Sequence, residues 1–146
     1  MNHRHLFSHL TAATLLALSF TAQAQTAASA LPADKVLPSG VALKWTASGS
    51  GGASPQATDT VQVHYRGTLM DGTEFDSSFK RGQPAGFPLN RVVPCWTEAL
   101  QQMKVGDTAD LTCPPATAYG ARGIPGVIPP NSTLNFQVQL LAIQGR

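Results

Sequence analysis

Charged side chains are scarce in this sequence, and neither sign dominates. Only 12% of the 146 residues are Asp, Glu, Lys or Arg, whereas 42% are hydrophobic. This composition excludes a highly charged disordered chain, and together with the length it favours one compact domain. The formal net charge is +2, and one of the cations, Arg4, lies in a leader-like segment. Such a balance gives no reason to expect nucleic acid or an anionic membrane surface as a partner.

The residues on which most catalytic and metal sites depend are also few. Three of the four histidines fall within the first nine residues, and the sequence has no CxxC, no metal-ligand spacing and no GxSxG. No glycine loop is followed by the Lys-Ser/Thr pair that holds a phosphate. Ser77 and Ser78 have only His64 as a candidate base, and strand alternation favours a solvent-facing His64 instead. Metalloenzyme and hydrolase functions are therefore disfavoured, and neither a metal ion nor a cofactor is expected.

The one long apolar run of the sequence is confined to the N-terminus. LTAATLLALSFTA is uncharged, follows Arg4, and is too short to span a bilayer comfortably. Because AQA at residues 22–24 offers small residues where a signal peptidase cuts, we expect a signal peptide over residues 1–24. Ala30 is a second candidate cleavage site, and a retained N-terminal anchor is the alternative. After signal removal, no stable membrane insertion is expected.

Only two cysteines occur in the chain, Cys95 and Cys113. In an oxidising compartment they are able to pair, and a disulfide closing a loop of this length would stabilise the fold by roughly 3 kcal/mol. Two buried free thiols are the alternative. The sequence leaves both states open.

Alternating apolar residues predict several half-buried antiparallel strands. The first predicted strand covers residues 41–46, and a Gly/Ser-rich loop over residues 47–54 follows it. Residues 25–37 are small and polar, and we interpret them as a flexible N-terminal segment. Inward-facing sets are predicted in three further strands: Val61, Val63 and Tyr65; Ala109, Leu111 and Cys113; and Leu134, Phe136, Val138 and Leu140.

Helical periodicity is found in a single segment that starts near Pro94. Apolar residues recur at helical spacing as far as Met103, and Gly106 is placed to end the helix after about two and a half turns. No βαβ rhythm is present. The predicted fold class is α+β, with a five- to six-stranded twisted antiparallel sheet wrapped around one short helix over residues 38–146.

The stretch from Gly120 to Pro130 holds three glycines and three prolines with apolar residues between them. This composition predicts a stiff loop that is neither helix nor strand. Ile124, Val127 and Ile128 would then form one lip of a shallow apolar concavity, next to the aromatic residues around the helix. We refer to residues 121–130 as the flap.

Three long segments carry a resemblance to a known family: VHYRGTLMDGTEFDSSF, VVPCWTEALQQMKVGD and AYGARGIPGVIPPNSTLNFQVQLL. Their order and spacing resemble those of the FKBP-type peptidyl-prolyl cis-trans isomerases, from about Leu37 to the C-terminus. LPSGVALKW is similar to the start of that domain in exported bacterial members. The resemblance implies a sheet curled round one helix and isomerisation of X–Pro bonds without a cofactor. The expected signal peptide implies a periplasmic or secreted location.

The resemblance also implies ligands and site residues. Proline-containing polypeptides would be the substrates, and macrolide immunosuppressants a further ligand class. No long helical segment of the kind that forms the dimerising arm of some exported relatives precedes Leu37, so we expect a monomer. Trp96 would form the pocket floor, the Val93 N–H would hold a substrate carbonyl, and the Tyr119 hydroxyl would donate a hydrogen bond. The implied catalytic residues are Tyr65, Phe75, Asp76 and Tyr119, and the implied substrate-binding residues are Phe87, Val92, Val93, Trp96, Ile128 and Phe136.

Several positions depart from the family pattern at the rim of the expected pocket. Ala85 stands where many members have an aromatic residue, Ile124 where the eukaryotic prototype has histidine, and Cys95 where glycine is common. Ala116 and Thr117 lack the acidic and aromatic character often found before the tyrosine. These changes bear on substrate preference and macrolide affinity. Two alternatives to an isomerase stay open: a chaperone-like binding module with little turnover, and a factor dedicated to one partner protein.

Overall fold

The structure is a computed structural model, and it describes residues 31–145. The predicted signal peptide and both candidate cleavage sites lie outside these residues. None of the helices in the described part of the chain is long and apolar enough to cross a membrane.

Seven antiparallel strands and two short α-helices make up the described part of the chain. The strand order is β1-β2-β6-β7-β3-β4, and β5 also pairs with β3. The elements are β1 (Lys35–Val36), β2 (Ala42–Ala47), β3 (Thr60–Leu69), β4 (Glu74–Ser77), α1 (Ser78–Arg81), β5 (Ala85–Pro88), α2 (Pro94–Leu100), β6 (Thr108–Cys113) and β7 (Leu134–Ile143). One-turn 3-10 helices cover Leu89–Arg91 and Pro115–Thr117.

The predicted α+β class is confirmed, although the sheet has more than the expected five or six strands. Two features add strands: β1 is only two residues long, and β4 and β5 are separate partners of the single strand β3. Between them the chain forms α1, where the hydroxyl of Ser78 accepts the backbone N–H of Tyr65 at 2.7 Å. This bond gives the backbone N–H of Tyr65 an acceptor, at a position on β3 between the residues that pair with β5 and those that pair with β4.

The alternating residues of the long strands form the core, as predicted. Val61, Val63 and Tyr65 on β3 are 0–5% exposed, and the inward sets of β6 and β7 are buried equally well. β3 pairs with β7 over nearly its full length, and β7 pairs with β6. The helix α2 lies against this inner face through Cys95, Trp96, Ala99 and Leu100.

The helix α2 is shorter than the periodicity predicts. It begins at Pro94, which needs no N–H partner at that position, and ends at Leu100 instead of near Gly106. After Leu100 the chain tightens, because Met103 donates to the carbonyl of Leu100 at 3.1 Å. Met103 is nevertheless fully buried, so its apolar spacing reports burial and not helix length.

The N-terminal segment predicted to be flexible ends in ordered structure. Lys35 pairs with Leu43 and Val36 with Ala42, so these two residues extend the sheet as β1. Leu37 then packs against the core, and its N–H bonds the carbonyl of Val41 at 2.8 Å. Periodicity could not reveal a strand of two residues.

Asp107 anchors the Gly/Ser-rich loop after β2. The residue is 2% exposed, and its carboxylate accepts three hydrogen bonds: from Trp45 Nε1 at 3.1 Å, from Gly49 N at 2.7 Å and from Lys104 N at 2.9 Å. The loop also packs closely against the turn between α2 and β6, since a Cβ on Gly49 would be 2.4 Å from the Val105 carbonyl oxygen. The predicted loop is thus fixed at its base and not free.

Cys95 and Cys113 form a disulfide, which settles the alternative that the sequence left open. It joins the second residue of α2 to the last residue of β6, with the two Cα atoms 5.7 Å apart. Both residues are fully buried. The link therefore ties the helix that carries Trp96 to the segment that leads to Tyr119.

Candidate active site

A cavity of about 490 Å³ opens at the N-terminal end of α2, between β3, β4 and the segment after the second 3-10 helix. Its volume falls within the range of small-ligand sites. The lining residues are Tyr65, Phe75, Asp76, Phe87, Arg91, Val92, Val93, Trp96, Ala118, Tyr119 and Phe136. Aromatic side chains predominate, and only Asp76 and Arg91 carry a charge.

Trp96 forms the floor of the cavity. Three rings stand edge-on to its indole, with centroid distances of 5.1 Å for Tyr65, 5.5 Å for Phe87 and 5.3 Å for Phe136. Edge-to-face pairs of this kind are favourable beyond the area they bury. Trp96 is 4% exposed, so its position is fixed by packing before any ligand arrives.

Phe75 and Phe136 form one wall, and a glycine makes their contact feasible. Their centroids lie 5.6 Å apart at an interplanar angle of 88°. A Cβ on Gly67 of β3 would come within 2.6 Å of Phe75 Cζ and 2.9 Å of Phe136 Cε1. Glycine at this position therefore lets both rings close over the strand.

A polar network adjoins the aromatic rings of the cavity. The Tyr65 hydroxyl donates to Asp76 Oδ2 at 2.5 Å, while Arg81 at the end of α1 donates to Asp76 Oδ1 at 2.6 Å and to the Tyr65 hydroxyl oxygen at 2.8 Å. The arginine is also 5.6 Å from the centroid of the Tyr65 ring. Both carboxylate oxygens of Asp76 therefore accept hydrogen bonds, and the ionised group orients its neighbours. A general acid must carry a proton to donate, so this arrangement does not suit that role.

The network shifts the pKa of both of its titratable members inside the cavity. Burial, and then the Asp76 hydrogen bond, raise the pKa of Tyr65 above its usual value. Burial acts to raise the pKa of Asp76 as well, but the hydrogen bonds from Tyr65 and Arg81 and the arginine charge outweigh it and hold that pKa below its usual range. One protonation state of the network therefore persists over a wide pH range.

We expect the rate of the X–Pro isomerisation that the family resemblance implies to be constant from about pH 5 to about pH 9 and to fall below about pH 4. The reason is that folding lowers the pKa of the Asp76 carboxyl, so the ionised carboxylate stabilises the folded network. This contribution to the free energy of folding is complete above the unfolded pKa of Asp76 and is lost as the pH falls through its folded pKa. The measurement is kcat/KM against pH with an uncharged peptide. Asp76→Asn should lack the acid limb, and a wild-type step near neutral pH would contradict this assignment.

Val93 and Tyr119 present the polar groups expected to hold a peptide. Val93 directly precedes α2, with φ of −58° and ψ of 144°, and within residues 31–145 its N–H has no hydrogen-bond acceptor. Val93 is one of the residues that line the cavity. The Tyr119 side chain is 39% exposed at the rim, so its hydroxyl is accessible to a bound chain.

The flap is a small closed turn and contains no regular helix. Ile124 and Ile128 exchange two backbone hydrogen bonds of 2.8 Å each, and Val127 donates to the Ile124 carbonyl at 2.9 Å. Pro125 and Gly126, with φ of 75° at the glycine, occupy the positions that a type II turn requires. Gly123 is needed at the base, because a Cβ there would lie 2.2 Å from the Ile128 carbonyl oxygen.

All predicted site residues line the cavity except Ile128. Ile128 is 2% exposed and packs in the hydrophobic core, whereas its neighbour Val127 is 47% exposed. Alternate residues of a short hairpin point to opposite sides, which explains why one isoleucine is buried. The site predicted from the sequence also lacked Arg81, Arg91 and Ala118. Two of these could have been found from their closeness in sequence to predicted site residues, since Arg81 follows Asp76 by five residues and Arg91 directly precedes Val92.

An antiparallel sheet packed on the helix α2, with a ring-lined cavity at the start of that helix, defines a small α+β domain with an aromatic binding cavity. Residues 51–141 match the family model described as FKBP-type peptidyl-prolyl cis-trans isomerase. The chain therefore belongs to the family of FKBP-type peptidyl-prolyl cis-trans isomerases.

Individual relatives agree with this membership. The chain is 57% identical over 93 residues, which are 64% of its length, to the FKBP-type peptidyl-prolyl cis-trans isomerase FkpA of Aeromonas hydrophila, and 48% identical over 113 residues, or 77% of its length, to the outer membrane protein MIP of Legionella longbeachae. These matches cover 34% and 48% of the two relatives, so the chain spans a third to a half of their length.

A solved structure is similar over most of both chains. The peptidyl-prolyl cis-trans isomerase of Pseudomonas syringae pv. tomato superposes with a TM-score of 0.71 at 38% identity. The match covers 78% of this chain and 83% of that one. The fold described above is thus the fold of a solved isomerase.

Proposed function

We propose that this protein is a peptidyl-prolyl cis-trans isomerase that accelerates rotation about X–Pro bonds in exported polypeptides. The observation that carries the proposal is the ring-lined cavity over Trp96, with Val93 and Tyr119 among its lining residues. Residues 38–146 would form the isomerase domain. Family membership supports the reaction type.

The chemistry needs no nucleophile and no proton transfer. An X–Pro bond rotates over a barrier of roughly 18–20 kcal/mol, because the twisted transition state loses amide resonance. The twisted amide is less polar at its carbonyl than the planar one, so an apolar cavity disfavours the planar ground state relative to the transition state. Proline would lie over Trp96 between the walls of Phe75, Phe87 and Phe136.

The polar groups would fix the substrate and not react with it. The Val93 N–H would hold one substrate carbonyl, and the Tyr119 hydroxyl would donate a second hydrogen bond to the substrate backbone. Asp76, held by Tyr65 and Arg81, would keep the Tyr65 ring in place against Trp96. Binding the chain on both sides of the proline converts part of the binding energy into orientation of the twisted amide.

The test is an isomerisation assay on an Ala-Leu-Pro-Phe peptide with the protein after removal of residues 1–24. We expect clear acceleration by the wild type, and a loss of about tenfold in kcat/KM for Phe75→Leu, equivalent to about 1.4 kcal/mol of transition-state stabilisation. Phe79→Leu is the matched control, because Phe79 is 48% exposed and lies outside the cavity lining. Equal rates for both variants would overturn the site assignment, and peptide binding without acceleration would favour the chaperone-like module.

Location and assembly are further parts of the proposal. A relative named as an outer membrane protein, and the disulfide, support an exported, periplasmic protein. We propose a monomer, since the cavity is complete within one chain, and macrolide immunosuppressants as ligands of the same cavity. Sedimentation of the exported protein and competition by a macrolide in the peptide assay test these two points.

A further inference from the structure

Arg91 is the one charge in the cavity lining that no neighbour neutralises. The lining contains two charged residues, and the first, Asp76, is paired with Arg81 at 2.6 Å. Arg91 makes no hydrogen bond or ion pair with any residue in the described range 31–145. Counted with Arg81, the cavity and its immediate support therefore carry a net charge of one positive unit.

The backbone that carries Arg91 is held firmly, while the side chain is exposed. Arg91 ends the 3-10 helix Leu89–Arg91, in which Leu89 is fully buried. Leu89 donates its N–H to the Asp59 carbonyl at 2.9 Å, and its own carbonyl accepts the Thr97 hydroxyl at 2.6 Å. The anchored turn places Arg91 directly before Val92 and two residues before the Val93 N–H.

No acid of the cavity region competes for this guanidinium. Glu74, the other carboxylate on β4, is engaged by Arg66 and by Lys80, the latter at 2.8 Å. The charge of Arg91 is therefore available to a bound chain, whose residues beside the proline must pass the cavity rim.

We propose that Arg91 makes the cavity selective for prolines that have Asp or Glu as a neighbour. The inference rests on the proposed isomerase function and adds a substrate preference to it. An exposed guanidinium–carboxylate pair shifts an equilibrium by about twofold to fivefold, and salt weakens it. The preference would act on KM and leave kcat unchanged, because the flanking charge is bound equally in the ground and transition states.

The experiment uses peptides with acetylated and amidated ends, so that terminal charges do not contribute. Ala-Xaa-Pro-Phe and Ala-Leu-Pro-Xaa series, with Xaa as Glu, Gln or Lys, are followed by NMR exchange spectroscopy at low and high salt. In at least one series we expect kcat/KM for Glu to exceed that for Gln by about twofold to fivefold, with Lys lowest. The ratio should approach one in Arg91→Gln, invert in Arg91→Glu and persist in Arg91→Lys.

Arg122→Gln is the matched control. Arg122 is exposed and lines a separate groove on the flap with Leu69 and Pro125, so the same loss of charge should leave the Glu/Gln ratio unchanged. A flat ratio in both wild-type series, or an equal effect of the two arginine variants, would overturn the inference.

The same peptides separate this inference from the proposed function. Acceleration without a Glu preference overturns only the role of Arg91. Absence of any acceleration overturns the isomerase proposal. Peptide affinities, measured by NMR titration with the same peptides, then still decide whether Arg91 selects acidic neighbours.

Discussion

Replacing Asp107 by alanine is expected to lower the free energy of unfolding by about 3–5 kcal/mol. The substitution leaves three donors without an acceptor: the indole N–H of Trp45 and the backbone N–H groups of Gly49 and Lys104. Each buried donor that loses its partner costs about 1–3 kcal/mol. Urea unfolding followed by tryptophan fluorescence measures the change, with Trp45 itself as a reporter.

Two further variants make the Asp107 result interpretable. Asp107→Asn keeps one acceptor oxygen and should lose less than the alanine variant. Asp110→Ala, three residues further along and exposed on β6, should change stability by less than about 0.5 kcal/mol. If Asp107→Ala and Asp110→Ala were equally stable, the three hydrogen bonds would contribute nothing to the fold.

Removing the disulfide with the double substitution Cys95→Ala and Cys113→Ala is expected to cost about 3 kcal/mol of stability. The bond closes a loop with a sequence separation of 18 residues, and without it the unfolded chain regains that freedom. Urea unfolding of the wild type and the double variant, each with and without reductant, measures the difference. Reductant in urea should lower the wild-type midpoint toward that of the variant.

The double variant itself is the control, since reductant should not change its unfolding curve. A mass measurement after alkylation in denaturant without reductant tests the premise separately. Wild-type protein that takes up two alkyl groups under those conditions would show free thiols and contradict the disulfide.

The strands in which buried and exposed residues alternate regularly were predictable from the sequence. Inward residues such as Val63 and Val138 alternate over long strands, and burial of one face enforces that period, so these strands were recognisable without coordinates. The two-residue strand β1 has no period to detect. The end of α2 was misplaced because Met103 has the spacing of a helical residue, although the helix ends at Leu100 and Met103 lies in the tight turn that follows.

For the candidate site, sequence patterns identified the apolar walls better than the charged groups around them. Trp96 and Phe136 were expected from their periodicity and from the family resemblance, and Phe87 from the resemblance. Arg81 reaches Asp76 only because α1 turns the chain back by one helical turn after β4, a local reversal that propensity does not reveal. Ile128 lies buried in the core and not among the lining residues, since a hairpin of this size sets the direction of each side chain by its backbone bonds.

The shortness of the outermost strands has a consequence for the proposed isomerase, whose substrates would be unfolded chains. An exposed strand invites a second chain to add itself by backbone pairing, and long flat sheet margins lead to aggregation. Here one margin is the two-residue strand β1, and the other is divided between β4 and β5, with four residues each. An extended polypeptide would thus find few strand residues to pair with at these two margins, and the proposed binding would depend on the cavity.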